Sequence, residues 1–318
     1  MQIFTLGLNP AIDRIVGCEV LCPGAHQSVS LEAEFAAGKS VNVSRALALL
    51  GIDSMATGFI GHHDGEFFIR ELASLTPGTV RSSWVVVGGG TRNNLTILES
   101  RSGRETHLRQ SGFSVSPHNI LELRDRLVRL LDPGDWVVLA GSLPRGVNDS
   151  DFLEILTLLE TRQVRVALDT SGPPLGLGLR RPTWLAKPNL TELSEVIGEQ
   201  VRNDPPAIVA AVRNAGLTVE NILVSRGEQG AILIELKGGG RAWNCRCPCD
   251  LPVVRTVSCG DHLLAGYVAG VVRGLDPPSA LGFAVALATT RAVSKNYQSF
   301  DSGIFSQLST RAGVELIT

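Results

Sequence analysis

The amino-acid sequence predicts an α/β fold, with helices covering a mostly parallel sheet, and three observations carry that prediction. Short continuous apolar runs at residues 3–8, 136–140, 164–168 and 222–224 have the length of strands buried on both faces. Helical patterns sit between such runs. One at 41–50 follows Lys39-Ser40 and ends at Gly51; another at 120–131 has Ser116-Pro117 ahead and Pro133-Gly134 behind; a third covers 152–160. From about 110 to 235 the chain therefore alternates helix and strand, the pattern of a doubly wound sheet. Two segments, 13–38 and 85–109, break the alternation with β-type residues, glycine and charge but no helical period. Residues 91–99 alternate in part, and Gly103 suggests a turn before 106–108. These segments are expected to form a small separate sheet. The core then comprises 1–12, 39–84 and 110–318.

Composition narrows the function classes. The chain has 318 residues, 44% hydrophobic and 19% charged, enough to bury an ordinary globular core. A formal net charge of −2 provides no basic footprint for nucleic acid or an anionic membrane surface. The N-terminus Met1-Gln2-Ile3-Phe4 lacks a basic region followed by a long apolar stretch, and no apolar run reaches the ~18 residues of a membrane span. A cytoplasmic location is the expectation. Cys245, Cys247 and Cys249 alternate along one segment without the paired spacing of a zinc site, and read as thiols on a strand or loop.

In open α/β sheets, ligands bind beyond the carboxyl ends of the strands. Three loops there are rich in small residues: 140–146 (Ala-Gly-Ser-Leu-Pro-Arg-Gly), 169–173 (Asp-Thr-Ser-Gly-Pro) and 225–230 (Ser-Arg-Gly-Glu-Gln-Gly). The sharpest chemical signal comes later. Ser258-Cys259-Gly260-Asp261 leads directly into an apolar helix. A helix N-terminus offers unpaired N–H groups and the positive end of a dipole to an anion. Such donors stabilise the charge on a phosphoryl group in transfer, and a carboxylate beside them can take the proton of an attacking hydroxyl. Asp261 is placed for that task. It is equally placed to cap the helix.

Gly38-Lys39-Ser40 resembles the tail of a phosphate-binding loop, but Ala33 stands where that motif needs its first glycine, and Glu34 follows it. No G-x-G-x-x-G is present either. A glycine turn opening a helix, with Lys39 and Asn42 inside it, still suits a polar anionic ligand, the alternative being a solvated lysine. In Lys187-Pro188-Asn189-Leu190-Thr191-Glu192, Asn189 and Glu192 share a helix face. Their oxygens suit Mg²⁺, and the same spacing suits an Asn cap with a Glu partner.

Taken together, these motifs resemble the PfkB carbohydrate kinases of the ribokinase-like fold, in particular the branch acting on sugar phosphates. Seven matches occur in family order. They are Asn9-Pro10-Ala11-Ile12-Asp13 (N-P-x-x-D), Gly38-Lys39 with Asn42 (G-G-K-G-x-N), Thr91-Arg92-x-Asn94 (T-R-x-N) and Gly141-Ser142-Leu143-Pro144-x-Gly146 (G-S-L-P-x-G). Lys187-Pro188-Asn189 with Glu192 (K-P-N-x-x-E), Ser225-x-Gly227-x-x-Gly230 (S-x-G-x-x-G) and residues 256–261 (T-x-G-A-G-D) complete the series. The resemblance implies a three-layer α/β/α core with a β-sheet lid that excludes water and pairs in a dimer. It implies ATP and Mg²⁺, with Asp261 as general base and the N–H groups of Cys259, Gly260 and Asp261 as anion hole. Asp13, Gly38, Asn42 and Asn94 are then sugar contacts. Lys39 and Arg92 become the cradle for the substrate's own phosphate, a task suited to the guanidinium fork. Ser225, Gly227, Gly230 and Ser258 belong to the nucleotide site, and Asn189 and Glu192 to Mg²⁺.

The chain departs from the pattern at several points. Ala37 and Ser40 flank Gly38-Lys39 where the family has glycines, and Ser258-Cys259 replaces Gly-Ala. Arg255 precedes Thr256 where Asp or Asn is usual, and the lid strand reads Thr106-His107-Leu108-Arg109 in place of T-E-I-N. Arg109 is placed to meet the substrate phosphate or solvent, and Arg226 to meet nucleotide phosphate or nothing. The expected reaction is phosphorylation of a ketose phosphate by ATP, with fructose 1-phosphate first. Tagatose 6-phosphate and fructose 6-phosphate are the near alternatives, and an inactive sugar-phosphate sensor the distant one.

Overall fold

A computed structural model of the chain describes residues 1–75, 78–296 and 301–317. A ten-stranded sheet runs through the middle. Its strands are β1 (Ile3–Gly7), β4 (Ser54–Gly61), β5 (Val80–Val87), β8 (Trp136–Ala140), β9 (Arg165–Asp169), β10 (Leu185–Ala186), β11 (Asn221–Ser225), β12 (Ala231–Glu235), β13 (Ala242–Arg246) and β14 (Gly313–Leu316). The spatial order is β14-β13-β12-β11-β10-β9-β8-β1-β4-β5. Pairing is parallel from β5 to β11 and antiparallel from β11 to β14. A second sheet has the order β3-β2-β6-β7, from β2 (Ala11–Cys18), β3 (Ser30–Ala37), β6 (Arg92–Glu99) and β7 (Glu105–Arg109).

The continuous apolar runs are explained by helices on both faces. On β8, Val137 and Leu139 point into a core with Leu123 and Leu127 of α3 (Pro117–Leu130) and Phe152 and Ile155 of α4 (Asp149–Thr161). Trp136, Val138 and Ala140 point the other way. They meet Val43 and Leu47 of α1 (Lys39–Leu49), Leu264 and Tyr267 of α8 (Cys259–Val272), and Ala280 of α9 (Pro277–Val293). Successive side chains of one strand therefore feed different cores, the period-two geometry of a strand buried twice.

The sheet boundaries differ from those read in the sequence. Residues 85–87, grouped there with the small sheet, extend β5, with Phe59 opposite Val85 and Gly61 opposite Val87. Residues 11 and 12, grouped there with the core, begin β2, with Ala11 between Ala37 and Arg92. Apolar β-rich residues occur on both sides of each boundary, so composition does not mark the change of sheet. Cys245 is buried in β13, and all six cysteines are free thiols. Among the described residues, no helix is long and apolar enough to cross a membrane.

This order places the site. From β1 the chain moves to β4 on one side, and β8 flanks β1 on the other, so a crevice opens at the carboxyl ends of β1 and β8. Asp169 and Ser225 end the parallel strands β9 and β11, and Asn9, Ser142 and Lys187 follow the carboxyl ends of β1, β8 and β10.

Candidate active site

Asp261 lies in the first turn of α8, and its residue is only 6% exposed. The helix is apolar almost throughout because it packs between α1, α9 and the sheet. Its polar start is therefore the exception. Asn42, one turn into α1, donates from Nδ2 to Asp261 Oδ2 at 2.7 Å. Burial, and then the negative charge of Asp169, push the Asp261 carboxyl up to about 7, while the Asn42 bond and the Lys187 and Lys39 ammonium groups oppose the rise. The first-turn N–H groups of Gly260 and Asp261 have no acceptor among the described residues, and the Cys259 N–H reaches only Thr256 O at 3.5 Å. A side chain at Gly260 would place its Cβ 3.2 Å from Lys187 Nζ, so glycine lets that ammonium approach the helix start.

A pair of lysines converges on one carboxylate beside this turn. Lys39 Nζ donates to Asp169 Oδ1 at 2.8 Å. Lys187 Nζ lies 3.1 Å from Asp169 Oδ2, close enough for an ion pair but outside hydrogen-bond geometry. Asp169 and Lys187 are buried, at 0% and 4% exposure, whereas the Lys39 side chain keeps 36% of its surface. The Asp169 charge holds the Lys39 ammonium above its ordinary range against the opposing effect of burial, with smaller help from Asp261 and Glu192.

The small sheet contributes the other wall. Asp13 of β2 sits opposite Asn94 of β6, whose Nδ2 donates to Asp13 Oδ1 at 2.8 Å. Asn94 Oδ1 is buried without a partner. Burial raises the Asp13 carboxyl, and Asn94, Arg45, Arg92 and Arg109 pull against that. Asn94 also pairs across the sheet with Arg109. A cavity of about 180 Å³ is bounded by Asp13, Asn42, Asn94, Arg109, Ser258 and His262, among others. Arg92 Nε donates to the carbonyls of Asn9 and Pro10 at 3.1 and 3.2 Å, and Asn9 Nδ2 donates to Ser142 Oγ. Gly38 has φ 103°, and a Cβ there would lie 3.0 Å from Pro10 Cα, so only glycine lets α1 start so close to the 9–10 turn.

After β10 and β11, Ser225 N donates to Pro188 O, and Ser225 bridges Asn189, so these two motif loops touch. Asn189 caps α6 (Leu190–Ile197). Its Oδ1 accepts from Glu192 N, and Glu192 Oε2 accepts from Asn189 N, both at 2.8 Å, forming a capping box. Arg226 does not point outward. It is 6% exposed and donates to Asn203 Oδ1, Asn244 Oδ1 and Gln229 Oε1. The side chain thus ties the 225–230 loop to β13 and to the turn before α7 (Pro205–Asn214).

The residues singled out in the sequence therefore gather at one end of the sheet, but not in every pairing expected. Asp261, Asn42 and Gly260 meet, as do Asp13 and Asn94. Lys39 and Arg92 do not form a joint cradle: Lys39 turns to Asp169, and Arg92 to the 9–10 carbonyls. Asp169, inside the small-residue loop 169–173, and Lys187, inside Lys187-Pro188-Asn189, are two site residues whose tasks the sequence does not mark. The pairing of Asp169 with Lys39, 130 positions away, has no local signature.

The family model described as pfkB family carbohydrate kinase matches residues 11–301. A 1-phosphofructokinase of Vibrio cholerae is 32% identical over 287 residues, covering 90% of this chain and 88% of that protein. A tagatose-6-phosphate kinase of Staphylococcus epidermidis is 29% identical over 316 residues, covering 96% and 98%. The crystal structure of phosphofructokinase-2 from Escherichia coli in complex with fructose-6-phosphate shares the fold, with a TM-score of 0.85, 22% identity, and coverage of 97% and 98%. Its motifs, its doubly wound sheet and these likenesses place the chain in the pfkB family of carbohydrate kinases, phosphotransferases for which ATP is the donor.

Proposed function

We propose that this protein transfers the γ-phosphoryl group of ATP to a hydroxyl of a ketose phosphate, fructose 1-phosphate before others, giving fructose 1,6-bisphosphate. The observation that carries the reading is Asp261: a buried carboxyl, oriented by Asn42, raised toward neutrality, at a helix start with unpaired N–H groups. A base with a pKa near the working pH removes a hydroxyl proton most effectively. The Gly260 and Asp261 N–H groups, with that of Cys259, stabilise charge on the transferring phosphoryl oxygens. Lys39 and Lys187 add positive charge from the same side. Asp13, Gly38, Asn42 and Asn94 hold sugar hydroxyls, with Asn94 Oδ1 available to accept one. Arg92, near Asp13 and Arg109, takes the substrate's own phosphate. The names of the relatives from Vibrio cholerae and Staphylococcus epidermidis support a phosphorylated ketose as acceptor.

Ser225, Gly227 and Gly230, with Ser258, form part of the nucleotide site in this reading. Mg²⁺ fits beside it in a limited way. Glu192 Oε2 and Asn189 Oδ1 are engaged in the capping box, while Glu192 Oε1 has no protein partner among the described residues. One carboxylate oxygen suits an ion that takes most ligands from phosphate and water. Asn189 then acts by orienting Glu192, and the ion supplies neutralising charge to the nucleotide phosphates. The small sheet serves as a lid that keeps water from the phosphoryl group. Its exposed Leu31 and Leu108 support pairing of two copies through the lids.

An ADP-release screen over ketose monophosphates and free sugars tests the reading. Turnover is expected to be fastest with fructose 1-phosphate. A preference for tagatose 6-phosphate or fructose 6-phosphate would move the assignment within the class, and activity on free sugars alone would overturn the phosphate-binding role of Arg92.

A further inference from the structure

Ser258 caps α8 with φ 65° and ψ 2°, a left-handed conformation in which a Cβ crowds the following carbonyl. Among the described residues only Gln163 shares a positive φ without being glycine. The signature T-x-G-A-G-D, which residues 256–261 resemble, has glycine at this position. The chain thus keeps a glycine-like turn with a residue that resists it, and strain of this kind persists where the surroundings over-determine the backbone.

Ser258 is gripped at two points. Arg291, in the last turn of α9 and 5% exposed, donates from Nε to Ser258 Oγ at 2.8 Å and from Nη1 to Asn296 O at 2.6 Å. His262, 4% exposed, has Nδ1 2.9 Å from Ser258 O. A carbonyl only accepts, so Nδ1 carries the hydrogen. Burial, and then the Arg291 charge, keep this imidazole neutral, pushing its pKa down to about 3. The same carbonyl also accepts from His262 N at 3.0 Å.

We propose that Arg291, with His262 as brace, is a positioning residue that clamps Ser258 in the left-handed turn and so aims the Gly260 and Asp261 N–H groups and the Asp261 carboxyl. The clamp does by side-chain contact what a glycine does by lacking a side chain. Both residues act through Ser258 rather than as groups of the proposed chemistry. The proposal rests on the functional reading above for its catalytic consequence, but not for its structural one.

A double-mutant cycle tests it in the full-length protein. Arg291→Met is made alone and together with Ser258→Gly, and kcat and melting temperature are measured in all four combinations. Alone, Arg291→Met is expected to lower kcat about tenfold or more and the melting temperature by at least ~2 °C. In the Ser258→Gly background the same change is expected to cost less than about half as much in each readout, because a glycine needs no clamp. Equal losses in both backgrounds would overturn the proposal, since a merely structural arginine would cost the same in either. If Arg291→Met fails to fold, Arg291→Lys replaces it in the same cycle; an ammonium cannot serve Ser258 Oγ and Asn296 O with the fork's geometry. If the protein itself turns over no ketose phosphate, the functional reading fails, and the melting-temperature cycle still decides the clamp.

Discussion

Asn42 Nδ2 donates to Asp261 Oδ2 at 2.7 Å, joining positions 219 residues apart in the chain. The bond links the first turns of α1 and α8, the two helices that begin at the carboxyl edge of the sheet beside Asp169. It fixes one oxygen of the carboxyl, Oδ2, and in the proposed reading leaves Oδ1 for a substrate hydroxyl.

Asp261→Asn keeps that shape and removes the proposed base. Turnover is expected to fall by about 10² to 10⁴, with circular dichroism unchanged; near-normal turnover would dismiss Asp261 from the chemistry. The variant also carries a stability signature. A carboxyl whose folded pKa is raised favours the folded state below its unfolded pKa, and that contribution is lost as pH rises through about 7. Asp261→Asn should therefore melt higher than the parent at pH 8, by at least ~2 °C, and the gain should vanish near pH 4.

In the proposed mechanism the same carboxyl sets the acid side of the activity profile. Because the base works ionised, kcat/KM should fall as pH drops below about 7, the value at which Asp261 titrates. Asp169 raises this value and Lys39 lowers it. Asp169→Asn should move the acid limb to lower pH, and Lys39→Met to higher pH. Shifts of the same sign in the two variants, or none, would disconnect the limb from this charge cluster.

Much of this arrangement was legible in the sequence, and particular residues show where legibility stopped. Continuous apolar runs revealed the central strands because burial on both faces leaves no room for alternation. The Asn189–Glu192 spacing revealed its capping box because a cap is local. The Lys39–Asp169–Lys187 cluster is made only by folding, since nothing near Asp169 in the chain marks its partners. The limits of the small sheet were blurred for a related reason: Trp84-Val85-Val86-Val87 is equally good strand material for either sheet, and hydrogen bonding to β4 decides.

Arg92 tests the acceptor side. Its guanidinium is anchored through Nε to Asn9 and Pro10, in the field of Asp13 and Arg109. Arg92→Ala should raise KM for the sugar phosphate about tenfold to a hundredfold, the scale of one lost charge-assisted contact, and change KM for ATP by less than about twofold. Arg92→Lys should recover only part of the loss, because an ammonium does not reproduce a bidentate fork. Equal losses toward both ligands would remove Arg92 from the sugar-phosphate subsite.

Arg226 separates the nucleotide loop from the rest of the site. Three of its five N–H groups are held by the side-chain oxygens of Asn203, Asn244 and Gln229, so in the proposed reading its influence on ATP is exerted through the loop. Arg226→Met would strand three acceptors, each costing roughly 1–3 kcal/mol if it stays dry. Relaxation of the exposed loop and entry of water reduce that sum. The expected outcome is a lower melting temperature together with a rise of at least about tenfold in KM for ATP, a factor equivalent to ~1.4 kcal/mol. KM for the sugar phosphate should stay close to the parent value, because Asp13, Asn94 and Arg92 stand on a different sheet. Steady-state kinetics with each substrate varied in turn gives both constants. A variant that melts lower but binds ATP as the parent does would show that Arg226 stabilises the fold without shaping the nucleotide loop.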